Sequence, residues 1–278
     1  MTPTWSGDGP PPELARPTGL RDWLRVARRG VPILLLLGFG LALLMLVRLV
    51  EWPLFGKRRP VTPYITVVVC RGVLRLLGLR HQLHGTPMRD HGAFVANHAS
   101  WLDIFVLNAA RDVYFVSKAE VARWPGIGLL ARATGTVFIS RDRREARAQT
   151  ELFRSRLRGR HHLLFFPEGT STDGRRVLAF KPTLFAACFD PALREALFIQ
   201  PVTVIYRAPE GADPRFYGWW GEMSFGEHML AMLVARRHGA AEVIFHPALK
   251  VADFEDRKTL ARRLEETVRG AHAAGLAR

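Results

Sequence analysis

A histidine and an aspartate five residues apart follow an apolar run in the segment VANHASWLD, Val95 to Asp103. The run predicts a buried strand, and the residues after it predict the start of a helix. His98 then falls in the connecting loop and Asp103 in the first helical turn, where the helix dipole favours negative charge. Asp103 would accept a hydrogen bond from one imidazole nitrogen, and the other nitrogen would take a proton from a hydroxyl group.

A purely structural role explains the same spacing. Ser100-Trp-Leu-Asp103 fits a capping box, in which the Asp103 carboxylate accepts backbone N–H groups and His98 is an ordinary loop residue. A histidine and an aspartate at this separation also recur by chance. On this segment alone the structural interpretation is therefore favoured.

A second segment, LLFFPEGTSTDGRR, places small and polar residues after another predicted strand. Gly169 would let the backbone approach a ligand closely. Thr170, Ser171 and the neighbouring N–H groups suit an anion or a polar headgroup, and Glu168 stands at the strand end. The alternative is a simple polar turn, because Thr-Asp-Gly at 172–174 is common turn chemistry.

A third segment, GTVFISRDRR, brings Arg141 just past the end of a strand. Ligands of α/β sheets bind at that edge, and a guanidinium there suits a phosphate. The basic residues that continue to Arg160 are typical of a solvated helix face. Arg141 is therefore the only one selected as a candidate for substrate binding.

The elements around these segments alternate between strands and helices, which predicts an α/β domain with helices covering a mixed sheet. The predicted strands are 93–97, 113–118, 136–140, 162–167, 197–206 and 241–249. The predicted helices are 101–110, 127–134, 144–158, 183–189, 228–238 and 257–273.

The N-terminal part has a different character. Residues 1–20 include a stretch rich in Pro, Gly and Thr and predict a disordered tail. Val31–Val47 is free of charge and spans about 26 Å as a helix, against about 30 Å for a bilayer core. Its lack of a polar face favours a membrane segment over a core helix. Residues 21–84 are thus predicted to be a membrane-anchoring helical region, and residues 85–278 the α/β domain.

The topology of the anchor stays open at this stage. Arginines precede the apolar run, and Lys57 and three arginines follow it, so charge gives no clear direction for a single crossing. A second apolar stretch, Pro63–Leu79, carries arginines four residues apart, as in an interfacial helix. These features suit either one crossing or a hairpin that enters and leaves by the same face.

The composition limits the classes of molecule that the protein is expected to bind. The 278 residues have a formal charge of +15, which favours nucleic acid, acidic lipid headgroups or a phosphorylated substrate. No zinc-finger spacing or RNA-binding aromatic motif accompanies the charge, which argues against a nucleic-acid binder. No Gly-x-Ser-x-Gly motif supports a serine hydrolase. The two cysteines have no metal-ligand spacing and fit a reduced, cytosolic environment.

The blocks NHASWLD, GTVFISR, FPEGT and QPVT, in this order, resemble the glycerophospholipid acyltransferase family over about residues 85–250. The resemblance implies an α/β domain with a membrane-associated N-terminal part. It further implies that His98 deprotonates an acceptor hydroxyl while Asp103 holds the imidazole. Arg141, Glu168 and Gly169 would position the polar head of the acceptor.

The activity implied by the resemblance is transfer of a fatty acyl chain from an acyl carrier protein or coenzyme A thioester to a lysophospholipid. The acceptor expected first is 1-acyl-glycerol 3-phosphate, giving phosphatidate. No further cofactor and no metal is expected. The implied location is a bacterial-type inner membrane, with the catalytic domain facing the cytoplasm; oligomeric state is not indicated.

One departure from the family pattern bears on the acceptor. Many members that bind glycerol phosphate have arginine after Glu-Gly-Thr, where this chain has Ser171. Arg141, Arg175, Arg176 or Lys181 could compensate. The change, together with FYGWWGEMSFGEHML at 216–230, also resembles enzymes that acylate lyso-ornithine lipids, whose head is a zwitterionic amino acid. That acceptor is the alternative.

Overall fold

The computed structural model describes residues 5–56, 58–124, 126–139, 151, 155–157 and 161–278. Its centre is a mixed sheet of the strands β1 (Arg80–His84), β2 (Gly92–Ala96), β3 (Tyr114–Lys118), β4 (Val137–Ile139), β5 (Leu163–Phe165), β6 (Phe198–Arg207), β7 (Ala240–Phe245) and β8 (Leu249–Lys250). Their order is β1-β7-β6-β2-β5-β3-β4, with β8 also pairing with β6. Strands β7 and β8 are antiparallel to β6, and the other pairs are parallel.

Helices cover both faces of the sheet. One apolar cluster joins the sheet to α2, α3 and α6, and a second joins it to the segment 182–189 and α7. The helices are α1 (Leu20–Phe55), α2 (Thr62–Leu77), α3 (Asp103–Ala110), α4 (Ile127–Thr134), α5 (Pro191–Arg194), α6 (Phe225–Val234) and α7 (Arg257–Leu276). Three 3₁₀ segments lie at Ala119–Arg123, Pro182–Phe189 and Val251–Asp253.

The prediction of a mixed α/β sheet flanked by helices is confirmed. Several details differ from the predicted elements. The helix predicted at 183–189 is a 3₁₀ segment, and the one predicted at 228–238 is observed at Phe225–Val234. Strand β1 pairs with β7, so the sheet begins before residue 85. The segment predicted as one strand at 241–249 is divided into β7 and β8, because Pro247 interrupts the backbone donors. Most of the predicted helix 144–158 lies outside the described residues.

Helices α1 and α2 form an antiparallel pair with close backbone contact. A methyl group added at Gly40 would lie 2.5 Å from Val69, and one added at Gly72 would lie 2.6 Å from Leu36. Glycine at these positions therefore lets the helices approach, as in membrane helix pairs. The other face of α1 leaves many apolar side chains exposed.

Residues 5–19 have no regular helix or strand and lie against the α/β domain. Asp8 pairs with Arg176, and Arg16 pairs with Glu227. The disordered tail at 1–20 and the division at residues 84 and 85 stay predictions.

Candidate active site

The site forms where parallel strands end side by side. Val95 of β2 is paired with Phe165 of β5 and with Pro201 of β6. The chain leaves β2 toward His98 and leaves β5 toward Glu168, so the two loops meet at one edge of the sheet. Ligands of open α/β sheets bind at this carboxyl edge.

His98 and Asp103 are in direct contact. The Nδ1 atom of His98 lies 2.7 Å from Oδ2 of Asp103. Asp103 is fully buried, whereas the side chain of His98 is 20% exposed. Among the described residues no hydrogen bond engages Nε2 of His98. That nitrogen can therefore reach a ligand while Nδ1 is held.

The same aspartate also organises the loop. Its Oδ2 atom accepts the backbone N–H groups of Ala99, at 2.8 Å, and Ser100, at 3.0 Å. Asp103 stands at the first residue of α3, as the dipole argument expects. The capping contacts and the histidine contact thus occur together, so the two interpretations of the sequence do not exclude one another.

Tyr206 completes the environment of Asp103. Its hydroxyl donates to Oδ1 of Asp103 at 2.7 Å from the buried strand β6. Burial, together with the adjacent carboxylate, raises the pKa of Tyr206 well above its usual value. The hydroxyl therefore stays protonated and serves as a donor. Both carboxylate oxygens of Asp103 have partners, which fixes the plane of the carboxylate.

Glu168 forms hydrogen bonds that hold the backbone of the loop carrying His98. Its Oε1 accepts the backbone N–H of His98 at 2.7 Å, and its Oε2 accepts that of Leu178 at 2.6 Å. The side chain is buried. Burial raises the pKa of Glu168 to about 8, although the two N–H donors act in the opposite direction. The geometry makes Glu168 a positioning residue, and its contact with substrate stays a prediction.

Packing fixes the imidazole plane. The His98 ring stacks on Phe166, with centroids 4.0 Å apart and planes 9° apart. The carbonyl oxygen of His98 accepts the N–H and the hydroxyl of Thr172. Loop, ring and carboxylate are therefore held by contacts from three separate parts of the chain.

The remaining predicted residues lie in the turn after β5. Gly169 has a φ of 72°, and a methyl group added to it would stand 2.7 Å from Nζ of Lys181. The glycine thus permits an ammonium group to lie over the turn. Thr170 is half-buried and Ser171 is buried. Arg141 lies outside the described residues, so its placement stays a prediction.

An apolar cavity of about 350 Å³ adjoins the histidine loop. It is lined by Trp124, Ile127, Trp219, Met223 and Phe225. The backbone N–H of Trp219 donates to the carbonyl of Ala99, which ties the cavity wall to the loop that carries His98.

Three residues that help to position His98, Asp103 or Glu168 were not predicted from the sequence: Phe166, Leu178 and Tyr206. Tyr206 ends a strand that reads as core, and its hydroxyl was the only available signal. Phe166 lies within the apolar run before Pro-Glu-Gly. Leu178 acts through its backbone N–H, which no residue type reveals.

Comparisons with known proteins agree on one family. The family model described as Acyltransferase matches residues 80–205. A lyso-ornithine lipid O-acyltransferase of Rhodobacter capsulatus is 58% identical over 267 residues, which cover 96% of each chain. One of the same name from Rhizobium meliloti is 33% identical, covering 89% of this chain and 86% of the relative. A 1-acyl-sn-glycerol-3-phosphate acyltransferase of Neisseria meningitidis is 31% identical, covering 72% and 77%.

A solved structure has a similar fold. The 1-acyl-sn-glycerophosphate acyltransferase of Thermotoga maritima superposes with a TM-score of 0.59 and covers 90% of this chain and 98% of its own. Its sequence identity is 19%, so the likeness concerns the fold.

Proposed function

This chain belongs to the glycerophospholipid acyltransferase family, and from that premise we propose that it transfers a fatty acyl chain from an acyl thioester to the hydroxyl group of a lyso-ornithine lipid. The donor would be acyl carrier protein or coenzyme A carrying the chain. The single observation that carries the chemistry is the 2.7 Å contact between His98 and the buried Asp103, with Nε2 of His98 directed away from that contact.

The reaction follows from that geometry. Nε2 of His98 takes the proton of the acceptor hydroxyl as its oxygen attacks the thioester carbonyl, and a C–O bond forms. The tetrahedral intermediate then collapses, the C–S bond breaks, and the imidazolium returns its proton to the leaving thiolate. The Asp103 carboxylate stabilises the transient positive charge on the imidazole. No protein nucleophile takes part, so no covalent acyl-enzyme forms.

The apolar cavity beside Trp219 is a suitable binding site for a fatty acyl chain. Its five lining side chains are apolar or aromatic, and its wall is tied to the histidine loop. An acyl chain lying there would run beside the loop that carries His98. Family membership and this cavity together fit a lipid acceptor.

Three observations favour the lyso-ornithine lipid over 1-acyl-glycerol 3-phosphate. Three relatives named for that acceptor cover at least two thirds of both chains at 33% to 58% identity. Position 171 is a buried serine instead of the arginine that would grip a phosphate. Lys181 leaves one ammonium near the turn, which matches the single carboxylate of an amino-acid head. Arg176 is already paired with Asp173 and Asp8.

The test offers the purified enzyme both acceptors with the same labelled acyl thioester. We expect ornithine lipid as the main product and little phosphatidate. Ser171→Arg is the matched variant, because it restores the charge of the phosphate-binding pattern; it should shift the ratio toward phosphatidate. A preference of the unaltered enzyme for 1-acyl-glycerol 3-phosphate would reverse the choice of acceptor. Thioesters of coenzyme A and acyl carrier protein, compared in parallel, identify the donor.

We also propose that α1 and α2 lie along one face of a bacterial inner membrane, with the α/β domain on the cytoplasmic side. Helix α1 contains an 18-residue window with a mean hydropathy of 2.7, but its 36 residues measure about 54 Å, well beyond the hydrocarbon core. At its start, Arg25 and Arg29 bond to carbonyls at the end of α6. Just past its end, Arg59 bonds to Ala133 of α4. Both ends therefore touch the same domain, which fits a helix hairpin on one face.

Accessibility labelling tests this placement. Both native cysteines are buried, so Val61→Cys, at an exposed position between α1 and α2, would be the reporter. We expect it to react with a membrane-impermeant reagent only after the cytoplasmic side is exposed. Reaction in intact cells from the periplasmic side would show a crossing instead.

A further inference from the structure

A second cavity, of about 340 Å³, lies at the opposite end of the sheet from His98. Its wall includes His161, which precedes β5, and Tyr114, which begins β3. The loop between α1 and α2 contributes Arg58 and Arg59. Strands β2, β3 and β5 are parallel, so the cavity lies at their amino ends. It is therefore separate from the candidate active site.

Arginines dominate the charge around this cavity. Arg58 and Arg59 line it, and Arg156 lies close enough to act electrostatically on the same space. Arg48 is also near, but it is paired with Glu51 at 3.5 Å. Arg59 uses one N–H on Ala133 and retains further donors. The side chain of Arg58 has no hydrogen bond to any described residue. A positive field and unused guanidinium donors thus face one cavity.

The nearby carboxylates are already engaged. Asp112 also lines the cavity and forms an ion pair with Arg111 at 3.0 Å. Glu51 accepts the backbone N–H groups of Val61 and Thr62, at 2.6 and 3.0 Å. Neither of these two carboxylates forms an ion pair with Arg58. The cavity therefore retains an excess of positive charge.

His161 gives an independent sign of an incomplete site. The residue is 8% exposed, and neither ring nitrogen has a hydrogen-bond partner among the residues that the structure describes. Buried polar groups in proteins are nearly always partnered. Burial, followed by the charges of Arg156 and Arg59, lowers the pKa of His161 to about 4. A buried, neutral imidazole has an N–H that can donate to an anion held by the surrounding arginines.

The surroundings point to the source of the anion. Phe55, Pro60, Pro63 and His162 complete the cavity wall. Phe55 is half-exposed, and Val61 and Tyr64 expose similar or larger fractions of their side chains. The cavity thus opens among apolar side chains at the end of the proposed membrane helices. A molecule with a phosphate joined to hydrocarbon chains could bind the arginines through its phosphate and the apolar side chains through its hydrocarbon.

We propose that this cavity binds the phosphate group of an anionic membrane lipid, with Arg58 and Arg59 on the phosphate and the lipid chains against the apolar ends of α1 and α2. The bound lipid would orient the α/β domain on the membrane surface. It is a resident lipid and not the acyl acceptor, because the cavity and His98 lie at opposite ends of the sheet.

Vesicle flotation of the full-length protein tests the proposal. Phosphatidylcholine vesicles with and without phosphatidylglycerol are compared for three proteins: unaltered, Arg58→Gln and Arg262→Gln. Arg262 is an exposed arginine of α7 outside the cavity, so its variant has the same change in net charge. We expect Arg58→Gln to bind phosphatidylglycerol vesicles about fivefold more weakly, and Arg262→Gln to lose much less. Equal losses would overturn the proposal, since net charge alone would explain them.

Glycerol 1-phosphate separates a lipid from a soluble phosphate. The proposal expects little rise in melting temperature with this soluble ligand and a clear rise with short-chain phosphatidylglycerol, the latter lost in Arg58→Gln. Equal stabilisation by both ligands, without a vesicle effect, would assign the cavity to a soluble phosphate and overturn the lipid. Arg59→Gln should reproduce the vesicle result where it remains folded, and melting temperature reports its folding independently.

Discussion

Two histidines at opposite ends of the same parallel strands have contrasting surroundings. His98, past the carboxyl end of β2, has a buried carboxylate 2.7 Å from Nδ1. His161, before the amino end of β5, has no partner on either nitrogen among the described residues and has arginines around it. An adjacent anion favours an imidazole that gains a proton, and adjacent cations oppose it. The neighbours, and not the residue type, therefore decide which histidine can act as a base.

The largest effect expected from this contrast comes from His98→Ala. Removing a general base typically lowers the rate by 10²- to 10⁴-fold, and we expect a loss of about 10³-fold in acyl transfer. His84→Ala is the control, since His84 is exposed on β1. Initial rates with the labelled thioester measure both, and circular dichroism checks folding. Near-normal turnover by folded His98→Ala would show that another group is the base.

The second prediction removes the anion beside His98. Asp103→Asn keeps an acceptor for the backbone N–H groups but removes the charge next to the imidazole. We expect transfer to fall by about 10²-fold or more, since the carboxylate orients the ring and stabilises imidazolium. Steady-state rates and melting temperature are measured together. A lower melting temperature with unchanged turnover would leave Asp103 with its capping role alone.

The sequence predicted the central strands of the sheet better than the edge strand β1 and the long-range contacts of the arginines. Apolar runs bounded by Gly, Pro and polar residues locate β2, β5 and β6, because buried strands need apolar side chains. Strand β1 was missed because RHQLH has no apolar run; backbone pairing with β7 makes it a strand. Arg25 and Arg29 read as the flank of a membrane segment, yet they bond to carbonyls at the end of α6. Such long-range contacts leave no local pattern.

The same limit explains the candidate site. The spacing of His98 and Asp103 crosses a single loop, so it was visible in the sequence. Tyr206 is 103 positions from Asp103 and is joined to it only by the fold. The family resemblance predicted that Glu168 positions the polar head of the acceptor. The backbone partners of Glu168 depend on how two loops pack, which sequence spacing does not determine.

Tyr206→Phe tests whether the support of Asp103 affects chemistry. The variant keeps the ring and removes the hydrogen bond to a charged group, which is typically worth about 1.5–3 kcal/mol. We expect kcat to fall about tenfold with KM nearly unchanged, because the tyrosine is buried behind Asp103. Tyr64→Phe, at an exposed position of α2, is the matched control. A lower melting temperature with constant kcat would make the contact merely structural.

The smallest effect concerns Glu168 and appears as a pH dependence of stability. The pKa of Glu168 is raised to about 8 from 4.5, so the folded protein retains a proton that the unfolded chain has lost. This contribution to stability is complete below pH 4.5 and is lost as pH rises through about 8. The melting temperature of the unaltered protein should therefore fall between pH 6 and 9. Glu168→Gln has no titrating group, and its amide nitrogen faces a backbone donor. We expect a lower melting temperature at pH 6 and a shallower decline toward pH 9. An equally steep decline in both proteins would attribute it to other groups.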